Sequence, residues 1–533
     1  MDNPASLVSN CPNLNWDRPV ISLNCAHRRL TFHRPVNEPA AQPDANERKI
    51  ILLLCLLAAA HVFIFSAALP FFSNVDEQMH FDLAVDYSQG KIPRSLTPPN
   101  AEALPFIVIY GTPEFLWMPA SPAIPPPPWK LPLADVREQL VAKSAAYQAH
   151  FQNHEAASPP LYYTVAGAWW RLGKAFGLDG GHLLYWLRFL NVPLVMVLVW
   201  LGWRAAKKVF PDNRFLRLAV PALIALMPQS TFYAINNDIF SPLTFGTTFV
   251  LLLYFGEAEV PSARLAAATG LALAATFLAK ISNLPLLAVA GIFIALKIIR
   301  LARAGKLRPA ALPLGVLFLG AGLPAAGWMA WCKTNFGDCT GSAAKIHFLN
   351  WTQQPFAAWF HHPIFTGSGL WFFLKGNLAT FWQGELLWHR QPLALPAVDL
   401  THVLLTLALP LFALVILLRR PAVFSVPQRD ALWSGLASFT ALLAFFALLS
   451  VKYDFNDCFY PSRAHPFFIS GRLLLGALIP FLIVFACGLD QLLKKFPDRV
   501  KFLALGALLA FMLVSEATVD RPIFPDKYNW FHL

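Results

Sequence analysis

Long apolar segments recur along most of this chain, and they constrain its fold more than any other feature of the sequence. Hydrophobic residues make up 56% of the 533 residues and charged residues only 14%, which is far from the composition of an ordinary soluble domain. Within a bilayer only helices and closed barrels satisfy every backbone hydrogen bond, and apolar runs of this length favour helices. The sequence therefore predicts an all-α polytopic membrane protein.

Eleven of these segments are candidate membrane spans, although some are short for a bilayer. Lys and Arg cluster at alternate segment ends, and such clusters orient membrane proteins with their basic loops in the cytoplasm. Placing every cluster in the cytoplasm gives about 11 transmembrane helices, with the N-terminus inside and the C-terminus outside. The net charge of +12 follows this pattern, so no nucleic-acid partner is expected. The predicted spans are Ile50–Phe72, Phe189–Trp203, Leu218–Ala234, Ile239–Phe255, Leu265–Leu278, Leu284–Ile299, Leu312–Trp331, Val403–Leu418, Leu432–Val451, Leu473–Leu489 and Phe502–Val514.

This topology depends on the segment Pro159–Ala175. It begins with Pro-Pro-Leu-Tyr-Tyr and continues with apolar residues, two tryptophans and an arginine. If it crossed the membrane, every later basic cluster would move outside. Tyr and Trp are favoured at the membrane interface, so the segment is predicted to be a helix in or near the outer interface.

Loop lengths predict where the chemistry takes place. Two long outer loops, residues 73–188 and 333–401, belong to a transmembrane domain of residues 50–518, whereas the cytoplasmic loops are short. Function is commonly carried on long loops, so the functional site is expected outside the cytoplasm. Residues 1–49 are predicted to be a disordered cytoplasmic tail and residues 519–533 a short extracytoplasmic tail. Cys332, Cys339 and Cys458 fall on the outer side, where the sequence is compatible with a disulfide and with free thiols.

A polar cluster, Asn74-Val75-Asp76-Glu77-Gln78-Met79-His80, follows the first span directly. On a helical turn Asp76 and His80 share one face, and Glu77 lies about a third of a turn aside. A carboxylate paired with a histidine can accept a proton from a hydroxyl or an amine, and the same groups can bind a divalent cation. Asn74 and the two acidic residues equally fit the cap and first turn of a helix. The cluster therefore has both a catalytic and a structural interpretation.

Three cationic residues near helix ends are candidate ligands for a phosphate group. Arg463 and Arg472 could bind a phosphate or diphosphate through their planar guanidinium groups, and Lys280 closes an apolar span where it could face an anion. Anchoring to lipid headgroups and snorkelling are the alternative interpretations. Asn237-Asp238 lies between two spans, where a turn between helices is the simpler interpretation.

Taken in order along the chain, several short motifs resemble the GT-C superfamily of integral-membrane glycosyltransferases, and within it a group of bacterial members. The resemblance covers about residues 50–489. This chain has Asp-Glu where some members have Asp-x-Asp, and it shows no soluble C-terminal domain of the oligosaccharyltransferase kind. The motifs are Asp76-Glu77 at the start of the first outer loop, Pro159-Pro160-Leu161-Tyr162-Tyr163, Asn237-Asp238, Lys280, Phe381-Trp382-Gln383-Gly384 and Gly471-Arg472.

The resemblance implies a GT-C-like bundle in which juxtamembrane helices of the first outer loop cover a cavity at the outer leaflet. It also implies transfer of a sugar from a polyprenyl-phosphate or diphosphate donor to a glycan, lipid or protein acceptor. The expected location is the inner membrane of a bacterium, with the active site facing the periplasm or exterior. A transporter for lipid-linked saccharides and a non-enzymatic membrane scaffold are the alternatives.

The resemblance further implies a role for each candidate residue. Asp76 is the general base or the carboxylate that orients the acceptor, supported by Glu77 and His80. The donor phosphate is bound by Arg463, Arg472 and Lys280. A requirement for Mg²⁺ or Mn²⁺ is left open, with Asp76 and Glu77 as its candidate ligands. The remaining substrate-binding candidates are Tyr162, Asn237, Asp238, Trp382 and His465.

Overall fold

Helices dominate the protein, and the computed structural model describes residues 45–111, 126–389, 391–458 and 460–533. Four short strands form two antiparallel pairs, β1 (Thr352–Gln353) with β4 (Tyr453–Asp454) and β2 (Leu387–Trp388) with β3 (Gln391–Pro392). The α-helices in these ranges are α1 (Ala45–Ala68), α2 (Glu77–Ser88), α3 (Ala103–Tyr110), α4 (Leu133–His150), α5 (Leu161–Ala175), α6 (Gly180–Arg188), α7 (Asn191–Val209), α8 (Arg214–Ala225), α9 (Phe240–Glu257), α10 (Ala263–Ala279), α11 (Leu284–Arg303), α12 (Leu307–Phe336), α13 (Ser342–Phe348), α14 (Phe356–Trp359), α15 (Gly367–Gln383), α16 (Pro396–Arg419), α17 (Val426–Lys452), α18 (Leu478–Leu492) and α19 (Asp498–Val519). Short 3-10 helices lie at Pro128–Lys130, Ser230–Tyr233, Asn237–Ile239, Ile281–Asn283, Pro363–Phe365, Pro421–Val423, Gly471–Ala477, Arg521–Ile523 and Trp530–His532.

The predicted all-α polytopic membrane fold is confirmed. Within the described ranges, nine helical segments are long and apolar enough to cross a membrane. The predicted N-terminal tail lies outside the described residues up to residue 44, and residues 45–49 already belong to α1. The nine segments are Asn46–Ala68, Gly180–Val209, Asn237–Glu257, Ile281–Arg303, Leu307–Phe336, Pro396–Arg419, Val426–Lys452, Gly471–Leu492 and Asp498–Val519.

The other two of the eleven predicted spans are shorter helices. The predicted span Leu218–Ala234 contains the last eight residues of the 12-residue helix α8 and the short 3-10 helix Ser230–Tyr233. Pro228 lies three positions after Ala225, the last residue of this helix. A residue that precedes a proline is disfavoured in helical geometry, so the helix does not continue through Met227. The predicted span Leu265–Leu278 is α10, an apolar helix of 17 residues.

Helix α5, which contains most of the segment Pro159–Ala175, packs against α2. It has 15 residues, fewer than the nine candidate spans, and its interfacial location stays a prediction. The two helices approach closely at Gly167, where a Cβ atom would lie 2.7 Å from the backbone nitrogen of Ser88. Residues 73–188, the first long loop of the sequence analysis, thus contain helices α2 to α6.

Helix α18 lies at the centre of the bundle. Its residues Leu478, Leu482 and Phe485 have no exposed surface, and helices α8, α9, α16 and α17 contact it. The 3-10 helix Gly471–Ala477 leads directly into α18. The start of this buried segment is therefore held rigidly by the packing of the core.

The two long loops meet at one end of the bundle. Strand β1 of the second loop pairs with β4, which follows α17. The rings of His154 and Phe348, one from each loop, stack with their centroids 5.8 Å apart. Cys332, Cys339 and Cys458 are free thiols, so the disulfide that the sequence left open does not form among them.

Candidate active site

A cavity of about 1420 Å³ lies where the two long loops meet the ends of α15, α17 and the helix that begins at Gly471. Aromatic and aliphatic side chains form much of its wall. Its charged and titratable lining residues come from segments far apart in the sequence. They include Asp76, His80, His154, Glu155, Lys280, Lys345, Lys375, Glu385, Asp399, Lys452 and Arg472.

Asp76 is positioned by an unusual backbone conformation immediately before α2. Its φ angle is 58°, in the left-handed region, where aspartate is tolerated better than most residues. The carboxylate is 24% exposed, and one oxygen lies 3.3 Å from His154 Nε2 while the other lies 3.4 Å from Arg472 Nη2. Burial alone would raise the pKa of Asp76, but the hydrogen bond from His154 and the positive charges of Lys345 and Arg472 lower it well below its usual range. Asp76 therefore presents an ionised carboxylate to the cavity.

Glu77 has a different environment, because its side chain points away from the cavity and is fully buried. Both carboxylate oxygens lie 2.8 Å from Nη2 of Arg188, which is equally buried. The carboxylate also accepts hydrogen bonds from the backbone amides of Phe72 and Ile235, each at 2.9 Å. These contacts fix the turn that carries Asp76. The structure therefore does not support the predicted catalytic and metal-binding roles of Glu77 and gives it a positioning role.

Arg472 joins three carboxylates from different parts of the chain. Its Nη1 donates to Asp238 at 3.0 Å, its Nη2 to Asp76 at 3.4 Å, and its Nε lies 3.5 Å from Glu385. The preceding Gly471 permits this placement, since a Cβ atom there would clash with backbone atoms of α15. The sequence motif Gly-Arg thus has a direct steric explanation.

Asp238 links Arg472 to Lys280. One of its oxygens forms an ion pair with the Lys280 ammonium, and the other accepts from Arg472. Asn236 caps the helical turn by accepting from the backbone amide of Asp238 at 2.9 Å. The cap is Asn236, the residue before the Asn237-Asp238 motif, and the motif places a buried carboxylate between two cations. Lys280 itself lines the cavity, whereas Asp238 lies behind it.

The second long loop adds a further ion pair. Lys345 of α13 pairs with Glu155, and His154 Nε2 lies 3.8 Å from the same carboxylate. Burial alone would raise the pKa of Glu155, but the charge of Lys345 outweighs burial and lowers it strongly. A continuous network of polar contacts therefore runs along the cavity from Lys345 through Glu155, His154, Asp76 and Arg472 to Asp238 and Lys280.

His80 lines the cavity next to Asp76 and is held by Tyr163. Its Nδ1 lies 2.7 Å from the Tyr163 hydroxyl, and burial lowers its pKa to about 4. The imidazole is therefore neutral at pH 7. A neutral ring suits a role in shaping the site around Asp76 better than a role as a cationic phosphate ligand.

We expect the protein to lose stability as the pH falls from about 6.5 towards 4, in part because of His80. A histidine has a pKa of about 6.5 in an unfolded chain, so between these pH values the unfolded chain binds more protons than the folded one. The free energy of unfolding therefore decreases with falling pH. Melting temperatures of the wild type and His80→Gln, measured at pH 7.5, 6.0 and 5.0, test this. The variant should show the smaller decrease, and an equal decrease in both proteins would contradict the assignment.

A divalent cation is compatible with part of this network. Ligand atoms of Asp76, His154 and Glu155 all lie within 4.8 Å of one another, and carboxylate and imidazole groups are suitable ligands. Glu77, the second ligand predicted from the sequence, is occupied by Arg188 and two backbone amides. The residues that fit a cation are thus Asp76, His154 and Glu155. The two carboxylates of this set already have counter-charges, because Arg472 pairs with Asp76 and Lys345 pairs with Glu155.

Several other predicted site residues do not line the cavity. Arg463 is 65% exposed and pairs with Asp454 at 3.0 Å, and the exposed ring of His465 stacks against Phe372. Trp382 is buried and donates to Thr406 at 2.7 Å. Tyr162 and Asn237 are likewise fully buried, outside the cavity wall. Of the predicted phosphate ligands, the structure brings only Arg472 and Lys280 to the cavity.

Arg463→Gln is expected to leave the activity of the protein within about twofold of the wild type, because a surface ion pair contributes little. Its matched comparison is Arg472→Gln, which removes a buried guanidinium from three carboxylates and should abolish activity. Initial rates of the two variants under identical conditions provide the measurement. A large loss of activity in the Arg463 variant would show that Arg463 does belong to the functional site.

Four residues of the network were missed by the sequence analysis. His154 and Glu155 follow α4 in the first long loop, Lys345 lies in the second, and Glu385 follows the Phe-Trp-Gln-Gly motif directly. Adjacency to that motif was an available signal for Glu385. No sequence period marked the other three, because loop residues acquire neighbours only through the fold.

Comparison with known proteins places this multi-pass membrane protein in a family. Residues 59–453 match the family model described as "Predicted membrane protein (DUF2142)", and the chain belongs to this family. No curated protein matches the chain. Among solved structures, it is similar to the oligosaccharyltransferase of Archaeoglobus fulgidus, crystallised with Zn and sulfate, with a TM-score of 0.45 and 14% sequence identity. That alignment covers 88% of this chain and 53% of the other, so this chain spans about half the length of that protein.

Proposed function

We propose that this protein is a membrane glycosyltransferase that moves a sugar from a polyprenyl-phosphate-type donor to an acceptor outside the cytoplasm. The observation that carries the proposal is the partly exposed, ionised Asp76 in a large cavity that combines an apolar wall with cations. An apolar wall suits the lipid of the donor, and the cations suit its phosphate. The proposed location is the bacterial inner membrane, with the cavity open to the periplasmic or outer side.

In the proposed reaction, Asp76 orients a hydroxyl or amine of the acceptor towards the anomeric carbon of the donor sugar. A bond forms between the acceptor and this carbon while the bond to the phosphate oxygen breaks, and the lipid phosphate leaves with the electron pair. Because its pKa is lowered, Asp76 is a weak base and takes the acceptor proton as the new bond forms. A single displacement of this kind inverts the anomeric centre.

The cations would act on the leaving group. Lys280 lines the cavity and is fixed by Asp238, so it is pre-organised to stabilise the charge that develops on the phosphate. Arg472 holds Asp76, Asp238 and Glu385 in place and adds positive charge next to them. A divalent cation held by Asp76, His154 and Glu155 would supply further positive charge beside the acceptor.

Product formation by the purified protein in lipid nanodiscs tests the proposal. The protein is offered a panel of polyprenyl-phosphate and polyprenyl-diphosphate sugars together with a lipid extract of its host, with and without Mg²⁺ or Mn²⁺. A new glycosylated product, detected by mass spectrometry, would identify donor and acceptor together. In sealed proteoliposomes, movement of a labelled lipid-linked sugar across the bilayer without any product would contradict the proposal and favour a transporter.

A further inference from the structure

The inner cations of the cavity have little charge left for a bound anion. Arg472 contacts Asp76, Asp238 and Glu385, Lys280 pairs with Asp238, and Lys345 pairs with Glu155. Four carboxylates therefore face the three cationic side chains of Arg472, Lys280 and Lys345. Such a network can stabilise charge that develops during a reaction, but it offers no surplus positive charge to attract an anionic substrate before the reaction.

Two other lysines line the same cavity without a direct ion pair to any described residue. Lys375 of α15 and Lys452 at the end of α17 are half-buried lining residues. In the described parts of the chain neither ammonium group has a carboxylate within the 4.0 Å of an ion pair. Asp399 lines the cavity as well, and the charge of Lys375 acts on its carboxylate from beyond ion-pair distance. Among the described lining residues, Lys375 and Lys452 are therefore lysines that no carboxylate holds in an ion pair.

The backbone holds both lysines beside the segment that leads to Arg472. Ser450, two residues before Lys452, accepts from the backbone amide of Phe468 at 2.8 Å. Asn377, two residues after Lys375, donates to the Phe468 carbonyl at 3.3 Å and accepts from the Ser470 amide at 3.2 Å. Helices α15 and α17 thus both form hydrogen bonds with the segment Phe468–Ser470, which precedes Arg472. The backbones of Lys375 and Lys452 therefore have fixed positions relative to Arg472.

The wall between these helices is apolar. Phe372 on α15, Phe445 and Leu449 on α17, and Phe468 between the helices line the cavity on this side. Lysine binds phosphate as a point charge, and a hydrocarbon chain gains from contact with apolar side chains. A phosphate that carries a long hydrocarbon chain matches both features, whereas a free phosphate would use only the lysines.

We propose that Lys375 and Lys452 bind the phosphate of the polyprenyl donor in the ground state, with its hydrocarbon chain along the wall of α15 and α17. The identity of the lipid rests on the proposed function, but binding does not require transfer. The two lysines then set the affinity for the lipid phosphate, while Asp76, Lys280 and Arg472 set the rate of the reaction. The division of roles predicts that the two groups of residues affect different kinetic constants.

The test measures binding of undecaprenyl phosphate to the full-length protein in detergent. Lys375→Gln and Lys452→Gln should each weaken binding about fivefold, and the double variant about 25-fold, at low ionic strength. Lys143→Gln, at an exposed lysine of α4 outside the cavity, is the matched control and should bind as the wild type does. Neither cavity lysine forms an ion pair, so its replacement leaves no carboxylate without a counter-charge. The melting temperatures of the variants should therefore equal that of the wild type.

Two ligand comparisons separate the lipid phosphate from its parts. Undecaprenol, which lacks the phosphate, should bind more weakly and equally to the wild type and the double variant. Inorganic phosphate at millimolar concentration should not displace the lipid. Unchanged binding of undecaprenyl phosphate by the double variant, or efficient displacement by inorganic phosphate, would overturn the proposal.

Kinetics distinguish failure of this inference from failure of the proposed function. If transfer occurs, the double variant should raise KM for the donor and leave kcat nearly unchanged. An unchanged donor KM would overturn the role of the lysines and leave the transferase assignment intact. Lysine-dependent binding of the lipid phosphate without transfer from any donor would support the lysine site and contradict the transferase.

Discussion

Replacing Asp76 by Asn is expected to reduce sugar transfer by about 10²–10⁴-fold, the range typical of a lost acid–base group. The amide has nearly the same shape as the carboxylate, so the cavity should keep its form. It has no negative charge to orient the acceptor and cannot take up a proton. Initial rates of product formation in nanodiscs, with the donor that is active for the wild type, provide the measurement.

A carboxylate elsewhere on α2 supplies the control for this substitution. Asp86 is half-buried and accepts from the Asn100 side chain at 2.6 Å, but it does not line the cavity. Asp86→Asn should therefore retain most of the activity. Full activity of Asp76→Asn, or equal losses in both variants, would remove Asp76 from the reaction centre.

The fold was largely predictable because hydrophobicity alone determines which segments can cross a bilayer. Nine of the eleven predicted spans are helices long enough to do so. The prediction of Leu218–Ala234 as one continuous span was wrong. Hydropathy is an average over many residues and is little changed by Pro228, but a single proline disfavours a helical conformation at the residue before it. The interfacial location of Pro159–Ala175 depends on the charge pattern rather than on hydropathy, and it stays a prediction.

The candidate site was predictable only where its residues directly flank spans or helices. Asp76, Lys280 and Arg472 each lie at such a junction, and helix packing brings the junctions together. His154, Glu155 and Lys345 come from the interiors of long loops, where no sequence period indicates which side chains will meet. The orientation of Glu77 could not be predicted either, because it depends on Arg188, 111 residues away.

Breaking the buried pair of Glu77 and Arg188 is expected to destabilise the protein by about 3–5 kcal/mol. In Glu77→Gln the guanidinium of Arg188 stays buried without a counter-charge, although it still contacts backbone carbonyls of Ser66 and Pro70 at 3.1 Å. The amides of Phe72 and Ile235 also lose a charged acceptor. Because these contacts fix the turn before α2, the loss should appear as a lower melting temperature in detergent.

The double variant Glu77→Gln/Arg188→Met distinguishes a structural pair from a catalytic carboxylate. Removing both charges eliminates the uncompensated guanidinium, so the double variant should recover part of the stability lost in Glu77→Gln. The control is Glu102→Gln, which breaks a partly exposed pair with Lys174 and should change the melting temperature little. If Glu77 acted in catalysis instead, Glu77→Gln would melt like the wild type while the folded protein lost activity. The full burial of both side chains argues for the first outcome, in which this pair supports the site by holding Asp76 at its left-handed turn.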